Sequence, residues 1–343
     1  MVQSGNFGYL HIYIWEWIAL PFYLFVIFFI AKLHQKKKLE EMPIYKYYIK
    51  AIFIKIFGGI VFALIYFYYY QGGDTLSYYE SGMTMRNLLF HSISGWASNE
   101  FGGASPQNYT LFNPHTGYPL FYMYGDPQTF MVIRLINPLM IFSINGFILT
   151  TVLVSWISFF GMWKLFLVFS AHYPHLKKYF FIAILCFPSV VFWGSGILKD
   201  SITLSSSGWI VYCVYNVFLL RKKILFHSIL LLLFGMIILA IKPYIIFALL
   251  PGSLMWTFSH RIYKIKNIVF KLLIVPFIFT LCIASGYLIV QNLGDRMGKF
   301  SVDKINTTAF VTEEDLKQDY YNGHSFDLGK FDPTIGGYAK IFP

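Results

Sequence analysis

Apolar runs of about twenty residues recur along this chain, and no other feature constrains its fold as strongly. Inside hydrocarbon every backbone N–H and C=O must find a partner within the protein, so such a run folds as a helix. At that length it crosses roughly 30 Å of bilayer. Composition agrees. The chain is 57% hydrophobic and 13% charged, where soluble domains are about a quarter charged. The first run lacks a basic stretch before it and a small-residue cleavage site after it, so it reads as a span and not as a signal peptide.

The expected fold is an all-α, polytopic transmembrane bundle. Spans fall near residues 9–32, 51–71, 141–169, 179–198, 201–220, 224–241, 243–259 and 267–292, about eight in all. Four regions follow: 1–71 with the first two spans, 72–135 as a large polar loop, 136–292 as a six-span bundle, and 293–343 as a polar tail. The chain stops on Ile341-Phe342-Pro343 after a return of apolar residues, which leaves room for further spans.

The net charge of +11 is unevenly placed. Lys36–Lys38, Lys46 and Lys50, then Lys177 and Lys178, then Arg221–Lys223, then Arg261, Lys264 and Lys266 occupy alternate loops. By the positive-inside rule those loops are cytoplasmic, which puts both termini outside. Basic residues at that edge face anionic lipid, so membrane lipid is expected as a partner and nucleic acid is not. Tyr and Trp crowd the span ends, as in Tyr66 to Tyr70, in the manner of an interfacial belt. Cys186, Cys213 and Cys282 all sit in apolar runs, where a free thiol acts as a small hydrophobe, so neither a disulfide nor a metal cluster is expected.

The loop 72–135 carries turn chemistry at Asn113-Pro114 and Gly125-Asp126-Pro127 and many aromatics, which argues for an ordered cap. It opens with Gly72-Gly73-Asp74, immediately after the second span. A carboxylate at the outer mouth of a bundle can serve as a general base or hold a divalent cation, Mg or Mn, on a pyrophosphate. It can equally be a solvated acid at a helix start. Glu80, six residues on, is a weaker candidate of the same kind. A second cluster is Phe187 to Ser201, a helix end, a Gly194-Ser195-Gly196 break and a new helix starting at Asp200 or Ser201. Broken helices at membrane depth occur where they are buried or line a cavity. Lys199 beside free helix N–H groups suits a phosphate; the alternative is a tight hairpin capped by Asp200 with Lys199 snorkelling. Lys242-Pro243 repeats the pattern.

A long outer loop that opens on Asp74 resembles the polytopic glycosyltransferases of the GT-C type. Gly73-Asp74-Thr75-Leu76-Ser77-Tyr78-Tyr79 is similar to the Gly-x-Asp-x-x-x-Tyr element of bacterial polysaccharide-polymerising membrane proteins. Pro188-Ser189…Phe192-Trp193-Gly194-Ser195-Gly196…Lys199-Asp200 is similar to a signature of bacterial envelope proteins. In GT-C enzymes the acidic loop usually follows the first span; here it follows the second. The resemblance implies a multi-pass enzyme of the bacterial inner (cytoplasmic) membrane that uses a polyprenyl-phosphate-linked sugar or glycan. It implies catalytic roles for Asp74 and Glu80, and substrate contacts from Tyr78, Trp193, Ser195, Lys199, Asp200 and Lys242. The rival readings are a transporter or flippase, and a non-enzymatic envelope assembly subunit. A transporter would carry ionisable groups mid-span, where Glu16 and Lys55 are the main instances.

Overall fold

A computed structural model describes residues 2–4 and 8–263 with short helical pieces between 272 and 284. The chain divides into two units, Met1–Lys264 and Ile265–Pro343. The expected span 267–292 falls largely, and the polar tail wholly, outside the described residues.

The first unit is helical apart from a small antiparallel hairpin, β1 (Val2–Ser4) and β2 (Gly8–Leu10). Five helical segments are long and apolar enough to cross a membrane, the pattern of a multi-pass membrane protein. These are α1 (Ile14–Leu39), a segment Pro43–Tyr70 built on α2 (Tyr48–Leu64), α8 (Phe147–His172), a segment Lys199–Leu220 built on α11 (Lys199–Val214), and α12 (Ile224–Ile241). Between the second and third lie α3 (Asp74–His91), α4 (Ile93–Phe101), α5 (Pro106–Tyr109), α6 (Phe121–Gly125) and α7 (Pro127–Phe142). α9 (Lys177–Phe180) and α10 (Pro188–Trp193) precede α11, and α13 (Tyr244–Tyr263) follows α12.

Two expectations need correction. The run 179–198 is not one helix. It passes from α9 through a π-helical turn, Phe181–Cys186, to α10, and then to a loop. Pro188 has no N–H to continue the ladder, and Gly194-Ser195-Gly196 ends the last piece. The region 72–135, read as a polar loop, opens instead with an unbroken helix from Asp74 to His91. The 72–135 region is ordered, as its aromatics suggest: Arg134 donates to the Asn99 carbonyl (2.8 Å), Tyr124 to the Asn99 side chain (2.9 Å) and Asn87 to the Thr116 carbonyl (3.3 Å).

Contacts fix the helix directions. α1 and α2 run antiparallel, through Phe28–Phe53 and His34–Tyr48. α2 and α8 are antiparallel too, since Tyr48 meets Trp163 while Phe67 meets Phe147. α8 and α11 run parallel: Ser155 bonds to Ser195 just before α11, a Cβ on Gly161 would overlap the Ser205 carbonyl, and Lys164 lies over Trp209 and Tyr212. A parallel pair requires the chain to return between them. The broken segment 173–198 is therefore a crossing made without a long helix.

Its backbone survives there because the bundle supplies partners. The residues Gly194 to Leu198 are buried. Lys55 donates to the Gly194 carbonyl, Ser155 to that of Ser195 (2.6 Å) and Ser201 to that of Gly196 (2.6 Å). Unpaired carbonyls at that depth would cost several kcal/mol each, on the order expected in hydrocarbon. α2 approaches closely enough only because Gly58 and Gly59 lack a Cβ: one at Gly59 would strike Ser155, one at Gly58 would strike Val191.

Glu16 plays a similar part at the helix starts. It is fully buried in the first turn of α1, not at mid-span as expected. One oxygen accepts from Tyr13 N (3.1 Å), the other from Ile148 N (2.9 Å). One carboxylate thus satisfies orphan N–H groups of α1 and α8 together, which sets both N-termini at the same end of the bundle.

Candidate functional site

That end also gathers the charges singled out in the sequence. Asp74 is the first residue of α3, exposed, and among the described residues it forms no ion pair. Its backbone entry depends on Gly73, whose φ of 92° is a region that favours glycine. Residues three and four positions on share its helix face, so Ser77 and Tyr78 stand beside it. The Ser77 hydroxyl accepts from Tyr122 (2.8 Å). Tyr78 is buried, and its hydroxyl lies against Thr129 without a hydrogen bond of ordinary geometry. Burial first, and then the nearby charge of Asp74, push that hydroxyl well above the usual tyrosine range, so it stays protonated. Asp126 and Asp200 act on it in the same direction, which places three carboxylates around one phenol.

Lys199 is the first residue of α11, one position earlier than expected. Its ammonium donates to Thr129 Oγ1 (2.7 Å) and sits 3.7 Å from Asp126. It does not snorkel. Asp200 does not cap α11 either, since the cap position is Leu198. Asp200 instead pairs with Lys242 at 2.6 Å, tying α11 to the end of α12. Three separated parts of the chain thus meet: the start of α3, the start of α7, and the junction of α11 with α12.

Asp126 is the residue that sequence reasoning undervalued. It appeared only as a carboxylate in a turn. In the structure it caps α7, accepting from Gln128 N (3.2 Å) and from Thr129 Oγ1 (2.5 Å), while facing Lys199. The Asp126-Pro127 pair was the available signal, an N-cap before a proline at the first helical position.

Three other predicted residues stand differently. Glu80 is buried, and at 3.6 residues per turn its direction is about 120° around α3 from Asp74, so the two carboxylates do not share a face. The Ser195 hydroxyl donates to the Val191 carbonyl (2.5 Å) and is fully buried, a backbone tie within the broken segment. Trp193 is half exposed and packs with Phe62 and Tyr66, and Tyr66 continues to Tyr70. Tyr66 is close enough to Asp74 to feel its charge, so this aromatic strip borders the carboxylate.

The donors do not fit a metal. Among the described residues no group of three or more His, Cys, Asp and Glu side chains gathers to hold one. Asp126 and Asp200 are each occupied by a lysine, which leaves Asp74 as a lone ligand. The arrangement suits proton transfer at Asp74 beside cations that a phosphate could recruit. No protein-family model matches the chain, and neither a curated protein nor a solved structure does.

Proposed function

We propose that this chain is a glycosyltransferase or glycan polymerase of the bacterial inner membrane, with about eight spans and its Asp74 end facing outward. It transfers a sugar or glycan from a polyprenyl-phosphate or diphosphate carrier to a hydroxyl acceptor. The observation that supports this reading is the convergence at one end of the bundle of Asp74, which has no ion pair among the described residues, the Tyr66–Trp193 strip, Lys199 and Lys242. Asp74 takes the proton of the acceptor hydroxyl. The oxygen bonds to the anomeric carbon, the carbon–oxygen bond to the phosphate breaks, and the carrier phosphate leaves with the electron pair. Lys199 and Lys242 exchange their aspartates for that phosphate, whose charge they stabilise. Trp193 and Tyr66 offer faces for the sugar.

The transporter reading draws less support. The charges expected at mid-span are committed to backbone groups: Glu16 to two helix starts, Lys55 to the Gly194 carbonyl. Neither is poised to move an ion or a substrate.

The test is transfer from a radiolabelled polyprenyl-phosphate sugar in proteoliposomes. Asp74→Asn should lower turnover by about two to four orders of magnitude while donor binding persists. Lys199→Met and Lys242→Met should weaken donor binding first. Full turnover by Asp74→Asn sinks the reading.

A further inference from the structure

The opposite end of the bundle holds a cavity of about 590 Å³ between α1, α8 and the end of the α11 segment. That is within the range of small-molecule sites, roughly 300–1,000 Å³. Its cations are Lys38, Lys164 and Lys177, with His34 at the wall. One carboxylate, Glu41, lines it and is already bound to Lys38 at 2.7 Å. Lys164 projects from the body of α8. Its ammonium lies 4.6 Å from the Tyr212 ring centre and 5.2 Å from that of Trp209. Among the described residues no carboxylate is within ion-pair distance of it. Lys38 is near enough to repel it, and both act on His34.

A second observation points to a ligand independently of charge. Ser170 lines the same cavity and is 1% exposed, yet among the described residues its hydroxyl has no hydrogen-bond partner. Buried hydroxyls are nearly always satisfied. The unsatisfied hydroxyl belongs to a residue of the cavity wall, and a cation whose partners among the described residues are aromatic faces stands in the same space with further cations. The chemistry that satisfies both is an oxyanion with several acceptor oxygens.

We propose that this cavity binds a phosphate-bearing ligand, anchored by Lys164 and completed by Lys38, Lys177 and the Ser170 hydroxyl. The site shares no residue with the Asp74 end and stands or falls separately from the activity proposed there. The phosphate has two available sources, the headgroup of an anionic phospholipid or a soluble phosphate compound, and the chemistry of recognition is the same for both.

The experiment uses the purified full chain in phosphatidylcholine nanodiscs and follows its thermal transition. One arm replaces part of the lipid with phosphatidylglycerol; the other adds inorganic pyrophosphate. At least one should raise the transition temperature. A response to phosphatidylglycerol alone assigns the headgroup, and a response to pyrophosphate alone assigns a soluble ligand. Lys164→Met should weaken the response about tenfold or more in ligand concentration, the loss of one charge-assisted hydrogen bond. Lys222→Met, on an exposed basic loop outside the cavity, should leave it unchanged. Lys177→Met, at an exposed position on the cavity rim, keeps the test open if Lys164→Met does not fold. No response in either arm overturns the proposal. So does equal weakening by the cavity variants and by Lys222→Met, which would mean attraction to the basic surface as a whole.

Discussion

The two ends of this bundle handle charge in opposite ways. At the Asp74 end each lysine is matched by a carboxylate from a distant part of the chain: Lys199 by Asp126, Lys242 by Asp200. At the other end Lys164, Lys38 and Lys177 share a cavity with one carboxylate, and that one belongs to Lys38. A cross-chain pair fixes where elements meet, because each partner is costly to leave alone in a partly buried site. Cations left without partners fix nothing; they recruit. The first arrangement holds a site in register before any substrate arrives. The second stores an affinity that a ligand must satisfy.

Both ends depend on one contact midway between them, so breaking it should have the largest effect. α8 and α11 touch backbone to backbone at Gly161 and Gly208, where a Cβ on either would overlap the other helix's main chain. Small residues permit such approach in a membrane. The Ser205-Ser206-Ser207-Gly208 stretch is the sequence signal for it. Gly208→Leu forces the helices apart and should cost about 3 kcal/mol or more, read as a fall in thermal transition in detergent. It should also abolish both the Asp74-end and cavity responses. A variant as stable as wild type would mean that the two ends do not share a frame.

The pairs themselves come next. Asp126→Asn leaves Lys199, whose side chain is 17% exposed, facing a neutral amide. The expected loss is about 1–2 kcal/mol, since the site is only partly screened. Lys164→Met at the other end removes an unmatched charge and should be neutral or stabilising. Equal losses from the two variants would erase the distinction between the ends. Asp200→Asn should cost less than about 1 kcal/mol, because that aspartate is half exposed and its pair is screened. A double-mutant cycle with Lys242→Met measures the pair directly.

Much of this was legible in the sequence, and the part that was not has a common cause. Apolar runs disclosed the helices long enough to cross a membrane. Gly73-Asp74 and Lys199-Asp200 announced helix starts, because their signals are local. The break at 187–198 was also visible in Pro188 and Gly194-Ser195-Gly196. What the sequence hid was that the whole run 179–198 crosses in short pieces, held by a lysine 139 residues from its partner. Glu16 looked like a mid-span charge until Ile148, 132 residues away, appeared as its partner. Asp126 and Lys164 were passed over for the same reason. Their meaning lies in what faces them, and no local pattern encodes that.

The smallest predicted effect tests how the Asp74 end holds a buried carboxyl that lies outside its ion pairs. Glu100, in α4, accepts a hydrogen bond from Asn137 (3.2 Å). Burial raises its carboxyl from the ordinary value of 4.5 to about 7, against the opposing pull of Asn137 and then Arg134. Arg134 is engaged with the carbonyls of Asn99 (2.8 Å) and Gly102 (2.5 Å), so it offers no direct pair. The sign follows from proton binding. The folded state holds the Glu100 proton more tightly than the unfolded state does. That contribution is complete below about pH 4.5 and is lost as pH rises to about 7. Wild-type stability should therefore decline across that interval by a component that Glu100→Gln removes, since a glutamine keeps the shape and carries no titrating proton. Thermal transitions of both proteins between pH 5 and pH 8 give the measurement. Parallel curves would mean that Glu100 is already charged in the folded state, matched by Arg134 after all.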